Sequence, residues 1–367
     1  MGMIDVYSMM IISKYFETFS DFVSLMFVCK KYRENIERFH FNPISLTLKT
    51  RKYFPRLETQ HIYCSKDELF ESIKKVVEYE VDYKTVAEQQ DPSITYKRVV
   101  YTKEDRITFG DKIPNGVKSL GDYCFYRSKA TEVIIPTSVV SIGKNSFSEC
   151  EQLSKIDISN RVTSIGISVF NKCKSLQKVI LPKYITSLKS HTFISCSSLR
   201  ALELPPDIES LEMFCFYNCM SLESVTLSEN LSHIGDFAFG NCTSLSYFEF
   251  PQKLLELGSS AFSRCLHLRS LSLPEKLNKL GSSCFRECGN LTHVELPQNI
   301  SQIGDCCFKS CCKLEHINIP TLPINVGNHC FQQCSNLHTS ELPLDLILST
   351  NASNEEFLYF NNVPKIC

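Results

Sequence analysis

Residues 291–311 read LTHVELPQNISQIGDCCFKSC and contain one complete unit of a pattern that runs through most of the chain. The apolar residues of this unit are Leu291, Val294, Leu296, Ile300, Ile303 and Phe308. The same spacing recurs on both sides and is marked by ten phenylalanines, separated by one step of 22 residues and then by steps of 23: Phe125, Phe147, Phe170, Phe193, Phe216, Phe239, Phe262, Phe285, Phe308 and Phe331. A strict period in the range of about 20 to 29 residues predicts a solenoid in which each repeat forms one coil.

Each position within a coil has its own residue type when the phenylalanine is counted as zero. A cysteine follows at +3, a leucine at +6, aliphatic residues at +9, +11, +15 and +18, proline often at +12 and glycine at +19. Positions +9 and +11 point to one face of a strand, so strands of successive coils are expected to pair in parallel. Lys189 and Glu212 replace the glycine in two coils, where a differently shaped turn is expected. The fold predicted is an α/β solenoid of about ten 23-residue coils, with short parallel strands on one face and a helical N-terminal cap.

The repeated string I-G-x-x-x-F-x-x-C-x-x-L-x-x-V-x-L-P gives a more specific assignment. It is carried, for example, by Ile234, Gly235, Phe239, Cys242 and Leu245, and it recurs through residues 117–343. This string resembles the BspA-like family of leucine-rich repeats. The resemblance implies a right-handed leucine-rich solenoid that binds proteins, in many family members as an adhesin at a cell surface.

Nineteen cysteines occur in the chain, and nine of them form the +3 series: Cys150, Cys173, Cys196, Cys219, Cys242, Cys265, Cys288, Cys311 and Cys334. A buried free thiol behaves as a small hydrophobic group, so this series predicts an inward corner of each coil and a reducing compartment. The alternative is a zinc site at Cys306, Cys307, Cys311 and Cys312. Zinc ligands usually come as two separated pairs, and the repeat already explains two of these residues. No metal and no cofactor are therefore expected.

Charge and composition narrow the class of protein. With 39 basic and 40 acidic side chains, the chain lacks the net positive charge whose electrostatic field attracts nucleic acid, so nucleic-acid binding is not expected. The N-terminus carries Asp5 where a signal peptide has basic residues, and no apolar stretch reaches the roughly 20 residues of a membrane span. A cytoplasmic protein is predicted, with unconventional export to the cell surface as the alternative. No catalytic constellation stands out, so an enzyme is not expected.

The outward positions of the predicted strands form the candidate binding surface. Acidic residues occupy the position between the two inward aliphatics in every second coil: Asp157, Glu203, Glu249, Glu295 and Glu341. Two residues before this position, three coils carry an aromatic or imidazole side chain: Tyr247, His293 and His316. One interpretation is a solubility device that opposes edge association. The other is a weakly acidic strip that binds a basic stretch of a protein partner.

Residues 1–45 lack the repeat and show helical apolar spacing. The segment D-F-x-x-L-x-x-V-C-K-x-Y at 21–32 resembles an F-box. This resemblance implies contacts with a ubiquitin-ligase adaptor, made by Ile12, Phe16, Phe22, Leu25 and Val28. The alternative is that the helical pair only caps the first coil, as terminal elements of solenoids must.

Three further regions complete the expected organisation. Residues 46–116 are a linker with a degenerate leucine-rich unit at Leu57 and Ile62 and a helix near 68–79, residues 117–343 are the solenoid, and residues 344–367 are a C-terminal cap. The leading functional hypothesis is a non-catalytic protein-protein interaction scaffold. The alternatives are an F-box-like substrate receptor of a ubiquitin ligase and a surface adhesin of BspA type.

Overall fold

The computed structural model describes residues 4–320 and 324–338. It divides into two compact units. The first extends to Tyr101 and includes Gly116–Ser119, and the second comprises Thr102–Asn115 and the chain from Leu120 onwards. The predicted C-terminal cap at 344–367 and Glu341 lie outside the described residues.

Short helices open the first unit. Helix α1 spans Val6–Ser13, and the Asp5 carboxylate caps it by accepting hydrogen bonds from the N–H groups of Tyr7 and Ser8. Helix α2 spans Phe19–Val28 behind a capping box, in which Asp21 accepts from the Thr18 N–H. Two 3₁₀ turns and a one-turn helix α3 follow, at Lys30–Tyr32, Ile36–Arg38 and Leu48–Arg51.

An aromatic core holds these helices to the residues after them. The Phe22 ring makes edge contacts with Phe16, Phe39 and Phe54 at centroid distances of 4.9, 5.9 and 6.0 Å. The buried members of the cluster are Phe22, Ile36, Phe39, Ile44, Leu46, Phe54, Leu57 and Phe70. Because this core joins both regions, the compact unit has different bounds from the predicted head at 1–45 and linker at 46–116.

Parallel strands complete the first unit: β1 (Thr59–Ile62), β2 (Lys74–Asp82) and β3 (Ile94–Tyr101), with helix α4 (Tyr83–Glu88) between β2 and β3. Thr59 lies opposite Lys74, and Lys75 lies opposite Ile94, so these turns are 15 and 19 residues long instead of 23. The helix predicted near 68–79 is wrong. Its apolar residues Val77 and Val81 are buried on a strand that is hydrogen-bonded on both sides.

The second unit begins with helix α5 (Lys103–Phe109) and continues as the repeating coils. Two series of strands alternate along the chain. The two-residue strands are β4 (Ser119–Leu120), β6 (Ser141–Ile142), β8 (Ser164–Ile165), β10 (Ser187–Leu188), β12 (Ser210–Leu211), β14 (His233–Ile234), β15 (Glu256–Leu257), β17 (Lys279–Leu280), β19 (Gln302–Ile303) and β21 (Asn325–Val326). The three-residue strands are β5 (Glu132–Ile134), β7 (Lys155–Asp157), β9 (Lys178–Ile180), β11 (Ala201–Glu203), β13 (Ser224–Thr226), β16 (Ser270–Ser272), β18 (His293–Glu295) and β20 (His316–Asn318).

Paired strands of each series are parallel and in register with the repeat. Lys155 lies opposite Lys178, and Ser210 lies opposite His233, each 23 residues further along the chain. The middle residue of the three-residue strands points inward, and the outer two point outward. These strands confirm the predicted parallel solenoid.

A third ladder, which the sequence analysis did not predict, runs beside the phenylalanines. The N–H groups of Tyr123, Phe125 and Arg127 donate to carbonyls of the next coil at 2.9, 2.7 and 3.0 Å. The residues two before and two after each ladder phenylalanine have positive φ in all ten coils. Left-handed backbone is especially unfavourable for β-branched residues, and none of these twenty positions holds valine, isoleucine or threonine.

Two side-chain ladders form the core of the coils. Successive phenylalanine rings stack nearly parallel, as in Phe216 and Phe239 at 5.1 Å, and nine of the ten are fully buried. Each +3 thiol donates to the carbonyl of the phenylalanine in the preceding coil, for example from Cys242 Sγ to Phe216 O at 3.2 Å. All nine cysteines make this bond, at 2.9–3.2 Å. The repeat therefore uses cysteine as a small apolar residue that also supplies a donor.

Candidate interaction surface

The predicted strand-face residues lie on the outer side of the three-residue strands. Asp157, Glu203 and Glu295 end β7, β11 and β18 and are exposed. His293 is exposed on β18, and His316 is partly exposed on β20. Together with the equivalent residues of the other coils they form one row, which we call the strand face: the outward residues of β5, β7, β9, β11, β13, β16, β18 and β20 and the corresponding residues 247 and 249.

The strand face is irregular around Tyr247 and Glu249, which are both exposed. Residues 246–250 form no strand in the described structure. Phe248 occupies the inward position that is aliphatic in other coils, and it packs between Phe239 and Phe262 at centroid distances of 5.0 and 4.7 Å. Phe250 fills the second inward position, 4.8 Å from Phe248 between ring centroids, so this coil buries two rings where other coils bury aliphatic side chains.

Imidazole rings are stacked at the C-terminal end of the strand face. His293 lies 4.9 Å from His316, which in turn lies 5.1 Å from His338, between ring centroids. The Nδ1 atom of His293 also lies 3.0 Å from the Thr292 hydroxyl. His338 was not among the predicted residues, because its sequence position differs by one from that of the other two. The first outward position therefore changes from lysine in β7 and β9 to histidine in β18 and β20.

A seam crosses both strand series between the coils that contain β8–β9 and β10–β11. Within the described residues, β8 does not pair with β10, nor β9 with β11. Lys189 is the first residue that replaces the glycine at +19. At Gly166, one coil earlier, an added Cβ would lie 2.6 Å from the Lys144 nitrogen. Glu212 also replaces this glycine, yet β10 and β12 still pair, so the lost pairing is found at Lys189 and not at both replacements. The Glu212 carboxylate binds Lys189 Nζ at 3.0 Å and accepts from the Ser190 N–H at 2.9 Å.

A second surface lies on the turns beside the ladder phenylalanines and was missed in the sequence analysis. The rings of His191, Phe214 and Phe237 stack at 5.0 and 4.9 Å on three successive coils, each partly exposed. Tyr217 packs edge-on against Phe214 at 5.5 Å. The available signal was an aromatic or imidazole residue two places before three consecutive ladder phenylalanines.

The residues predicted to contact an adaptor have different environments in the first unit. Phe22 and Leu25 are buried, and Phe16 packs against that core, so a partner cannot reach the first two without unfolding. Ile12 and Val28 are exposed, with relative accessibilities of 43% and 75%. A depression of about 250 Å³ beside α2 is lined by Phe19, Val23, Met26, Phe27, Arg33 and Tyr53.

The most compact polar cluster of the first unit connects its three strands. Glu78 binds His61 Nδ1 and Lys97 Nζ, both at 2.6 Å. Partial burial lowers the pKa of His61, although the neighbouring Glu78 carboxylate acts in the opposite direction. The lowered pKa favours a neutral imidazole. The cluster therefore ties β1, β2 and β3 together through side chains.

Burial determines the protonation state and the reactivity of the repeat cysteines. Desolvation raises the pKa of Cys219 and Cys265 to about 12, so these thiols stay protonated and unreactive in the folded chain. Cys306 occupies one of the positive-φ positions, and Cys311 donates to the Phe285 carbonyl at 3.1 Å. The described residues contain no group of three or more His, Cys, Asp or Glu side chains arranged to hold a metal ion.

With the parallel coils and their inward ladders established, the chain is a leucine-rich repeat solenoid. The family description "BspA type Leucine rich repeat region (6 copies)" matches residues 110–221 and 209–338. The chain therefore belongs to the BspA-type leucine-rich repeat family. No curated protein matches it. The helices described here include none of sufficient length and apolar character to cross a membrane.

Solved structures of bacterial leucine-rich repeat proteins are similar to the chain. A leucine-rich repeat protein from Bacteroides ovatus is 25% identical, with 77% of this chain and 86% of that chain covered and a TM-score of 0.45. A leucine-rich cell surface protein from Faecalibacterium prausnitzii is 23% identical, with 62% and 79% covered and a TM-score of 0.42. A leucine-rich repeat protein of T. pallidum is 22% identical, with 65% and 88% covered and a TM-score of 0.35.

Proposed function

We propose that the protein is a non-catalytic scaffold that binds another protein on the strand face. One observation carries this proposal. Inward positions repeat the same residue types, whereas the outward residues on the same strands vary from coil to coil, as in Lys178, Glu203 and His293. A surface of this kind can change its charge and shape without disturbing the core.

The test compares two triple variants in affinity purification of the full chain. Glu203→Gln/Glu249→Gln/Glu295→Gln removes three charges from the strand face. The control, Glu151→Gln/Glu256→Gln/Glu287→Gln, removes three charges from other sides of the coils, where exposed ion pairs contribute little to stability. We expect recovery of bound proteins to fall only with the first variant. Equal recovery from both variants would mean that these strand-face carboxylates serve solubility.

We propose as a second candidate an F-box-like receptor that links a bound protein to a ubiquitin ligase. The exposed Ile12 and Val28 support it. Deletion of residues 1–45 is a poor test because it removes Phe22 and Phe39 from the core of the first unit. We expect Ile12→Asp/Val28→Asp to abolish recovery of a ligase adaptor and cullin, whereas Leu48→Asp, at a position 72% exposed, should not. Absence of these components from purifications of the unmodified chain would remove this candidate.

We propose a cytoplasmic location, supported by seventeen free cysteines in the described residues, where Cys312 alone is disulfide-bonded. The alternative is a surface adhesin exported without a classical signal. Protease treatment of intact cells separates the two. A cytoplasmic protein should survive until the cells are lysed, whereas digestion of intact cells would favour the adhesin.

A further inference from the structure

Charged residues are sorted along the solenoid in two consecutive blocks. Residues 158–202, the basic block, contain seven basic and no acidic residues: Arg161, Lys172, Lys174, Lys178, Lys183, Lys189 and Arg200. Residues 203–252, the acidic block, contain eight acidic and no basic residues: Glu203, Asp207, Glu209, Glu212, Glu223, Glu229, Asp236 and Glu249. The chain as a whole is almost neutral, so this order separates opposite charges within one molecule.

Cations of the basic block differ in pairing between the two sides of the coils. On the turns near the ladder phenylalanines, Lys172 and Lys174 pair with acidic residues of the preceding coil at 3.4 and 2.7 Å. Near the strand face the described residues supply no ion pair to the other cations, which lie on a three-residue strand or within four residues of one: Arg161, Lys178, Lys183 and Arg200. The unpaired charge is therefore concentrated around the strand face.

The acidic block is mostly unpaired. Away from the strand face Glu212 pairs with Lys189 at 3.0 Å, whereas Glu209 and Asp236 form no ion pair with the described residues. Near the strand face, the carboxylates of this block have no ion pair within the described structure: Glu203, Asp207, Glu223, Glu229 and Glu249. Opposite, unpaired charges thus lie on neighbouring coils of one surface, and the change of sign falls close to the step from β9 to β11.

We propose that the strand face binds the strand face of a second copy of this chain, with the order of the coils reversed, about a two-fold axis that lies in the interface, parallel to the strands and between β9 and β11. A two-fold contact brings each surface patch against its own copy, so every interaction occurs twice. Rotation about this axis places the basic block of one copy on the acidic block of the other. The proposal rests on the proposed function, because it names the partner that binds this face.

Register on the strand face gives the opposing residues. A two-fold axis parallel to the strands reverses the order of the coils but keeps the strand direction, so equivalent positions of the strands face each other. Lys178 would lie opposite Ala201 and two residues from Glu203, and Lys183 would lie opposite Pro206 and next to Asp207. Two strands further out, Ile134 would lie opposite Glu249 and Tyr247 opposite Glu132; Ile134 and Tyr247 are 80% and 64% exposed in one copy. Oppositely charged residues at neighbouring positions therefore lie close to the axis, and contacts of exposed apolar side chains lie further out.

Sedimentation of the full chain over a concentration series tests the proposal. We expect a dimer at low ionic strength whose dissociation constant rises with salt, since exposed charges are screened. Lys178→Glu/Lys183→Glu and Glu203→Lys/Glu223→Lys should each raise this constant by more than about tenfold, because the first cancels the net positive charge of the basic block near the strand face and the second removes most of the negative charge of the acidic block there. Lys276→Glu/Lys279→Glu, outside both blocks, changes the net charge as much as the first variant and should have little effect.

Mixing the two variants provides a result that misfolding cannot imitate. In the mixture the unchanged acidic block of the first variant faces the unchanged basic block of the second, and the substituted blocks face each other with their charges exchanged, so the mixture should recover a dimer. Monomers of the unmodified chain at every concentration would overturn the proposal, as would variants that still dimerise alone or a mixture that stays monomeric. The proposed function would survive each of these results, since the charge-removal test of partner recovery is independent of self-association.

Discussion

At the scale of single residues, the repeat is decided by side chains that satisfy two requirements together. The +3 residue must be small enough for an inward corner and must donate to a phenylalanine carbonyl, and cysteine does both. The +3 pattern predicted burial, but its hydrogen bond depends on the position of the preceding coil, which spacing alone does not give. Similarly, Cys306 had no explanation in the sequence, and the structure shows that it occupies a left-handed turn.

Truncation of one ladder phenylalanine tests the core. Phe239 is fully buried between Phe216 and Phe262, with centroid distances of 5.1 Å to each. We expect Phe239→Ala to lower the free energy of unfolding by about 3–5 kcal/mol, because the cavity cannot collapse between stacked coils. Urea denaturation measures this change, with Tyr247→Ala as an exposed control. A loss below about 1 kcal/mol would contradict the core assignment.

At the scale of elements, the distance between coils depends on the glycine at +19. An added Cβ at Gly281 would lie 2.4 Å from the carbonyl carbon of Gly258, a separation that backbone atoms cannot relieve without moving apart. Strand pairing is lost at Lys189 but is kept between β10 and β12, where Glu212 replaces the glycine. The sequence identified the departing residues, but their effect required the backbone of the neighbouring coil.

A pair of glycine substitutions tests the close approach. We expect Gly281→Ala to destabilise the solenoid by more than about 2 kcal/mol through this overlap. Gly289→Ala should change stability by less than about 0.5 kcal/mol, because nothing lies within 4 Å of its added Cβ. Thermal and urea unfolding of both variants provide the comparison. Equal effects would show that coil spacing does not depend on the glycine.

At the scale of the whole molecule, the fold could be predicted from the sequence where the repeat is regular. The ten coils could be predicted because each position is sampled ten times, so an exception such as Lys189 does not hide the pattern. The first unit has turns of 15 and 19 residues, each occurring once, and its second strand was therefore mistaken for a helix. The repeat predicts which strand residues point outward. It does not predict which of these outward residues bind a partner, because the period is the same for all of them.

The accumulated buried thiols predict an alkaline limit to stability. Desolvation raises the pKa of Cys219 and Cys265 to about 12 from an ordinary value of 9.0. Their contribution is complete below pH 9 and is lost as the pH rises toward 12, because the unfolded chain releases these protons first. Each thiol should reduce the free energy of unfolding by about 1.4 kcal/mol per pH unit in that range.

Urea denaturation at several pH values above 9 measures this dependence. Comparison with Cys219→Ala/Cys265→Ala separates the thiols from lysine and tyrosine, which also titrate there. We expect the loss of stability with pH to be less steep in the variant. Identical slopes would contradict the role of these thiols.

The seam between β8 and β10 has a consequence for how the array comes apart. Across it, the coils are still joined by the turn ladder, with Phe170 N–H donating to Thr192 O at 2.9 Å, and by the ring stack, but not by the strands. In a one-dimensional stack, cooperativity passes only through nearest neighbours, so a weak junction limits how far one opening event spreads. Amide hydrogen exchange should then show two groups of coils, one on each side of the seam, that open as separate cooperative units with different free energies.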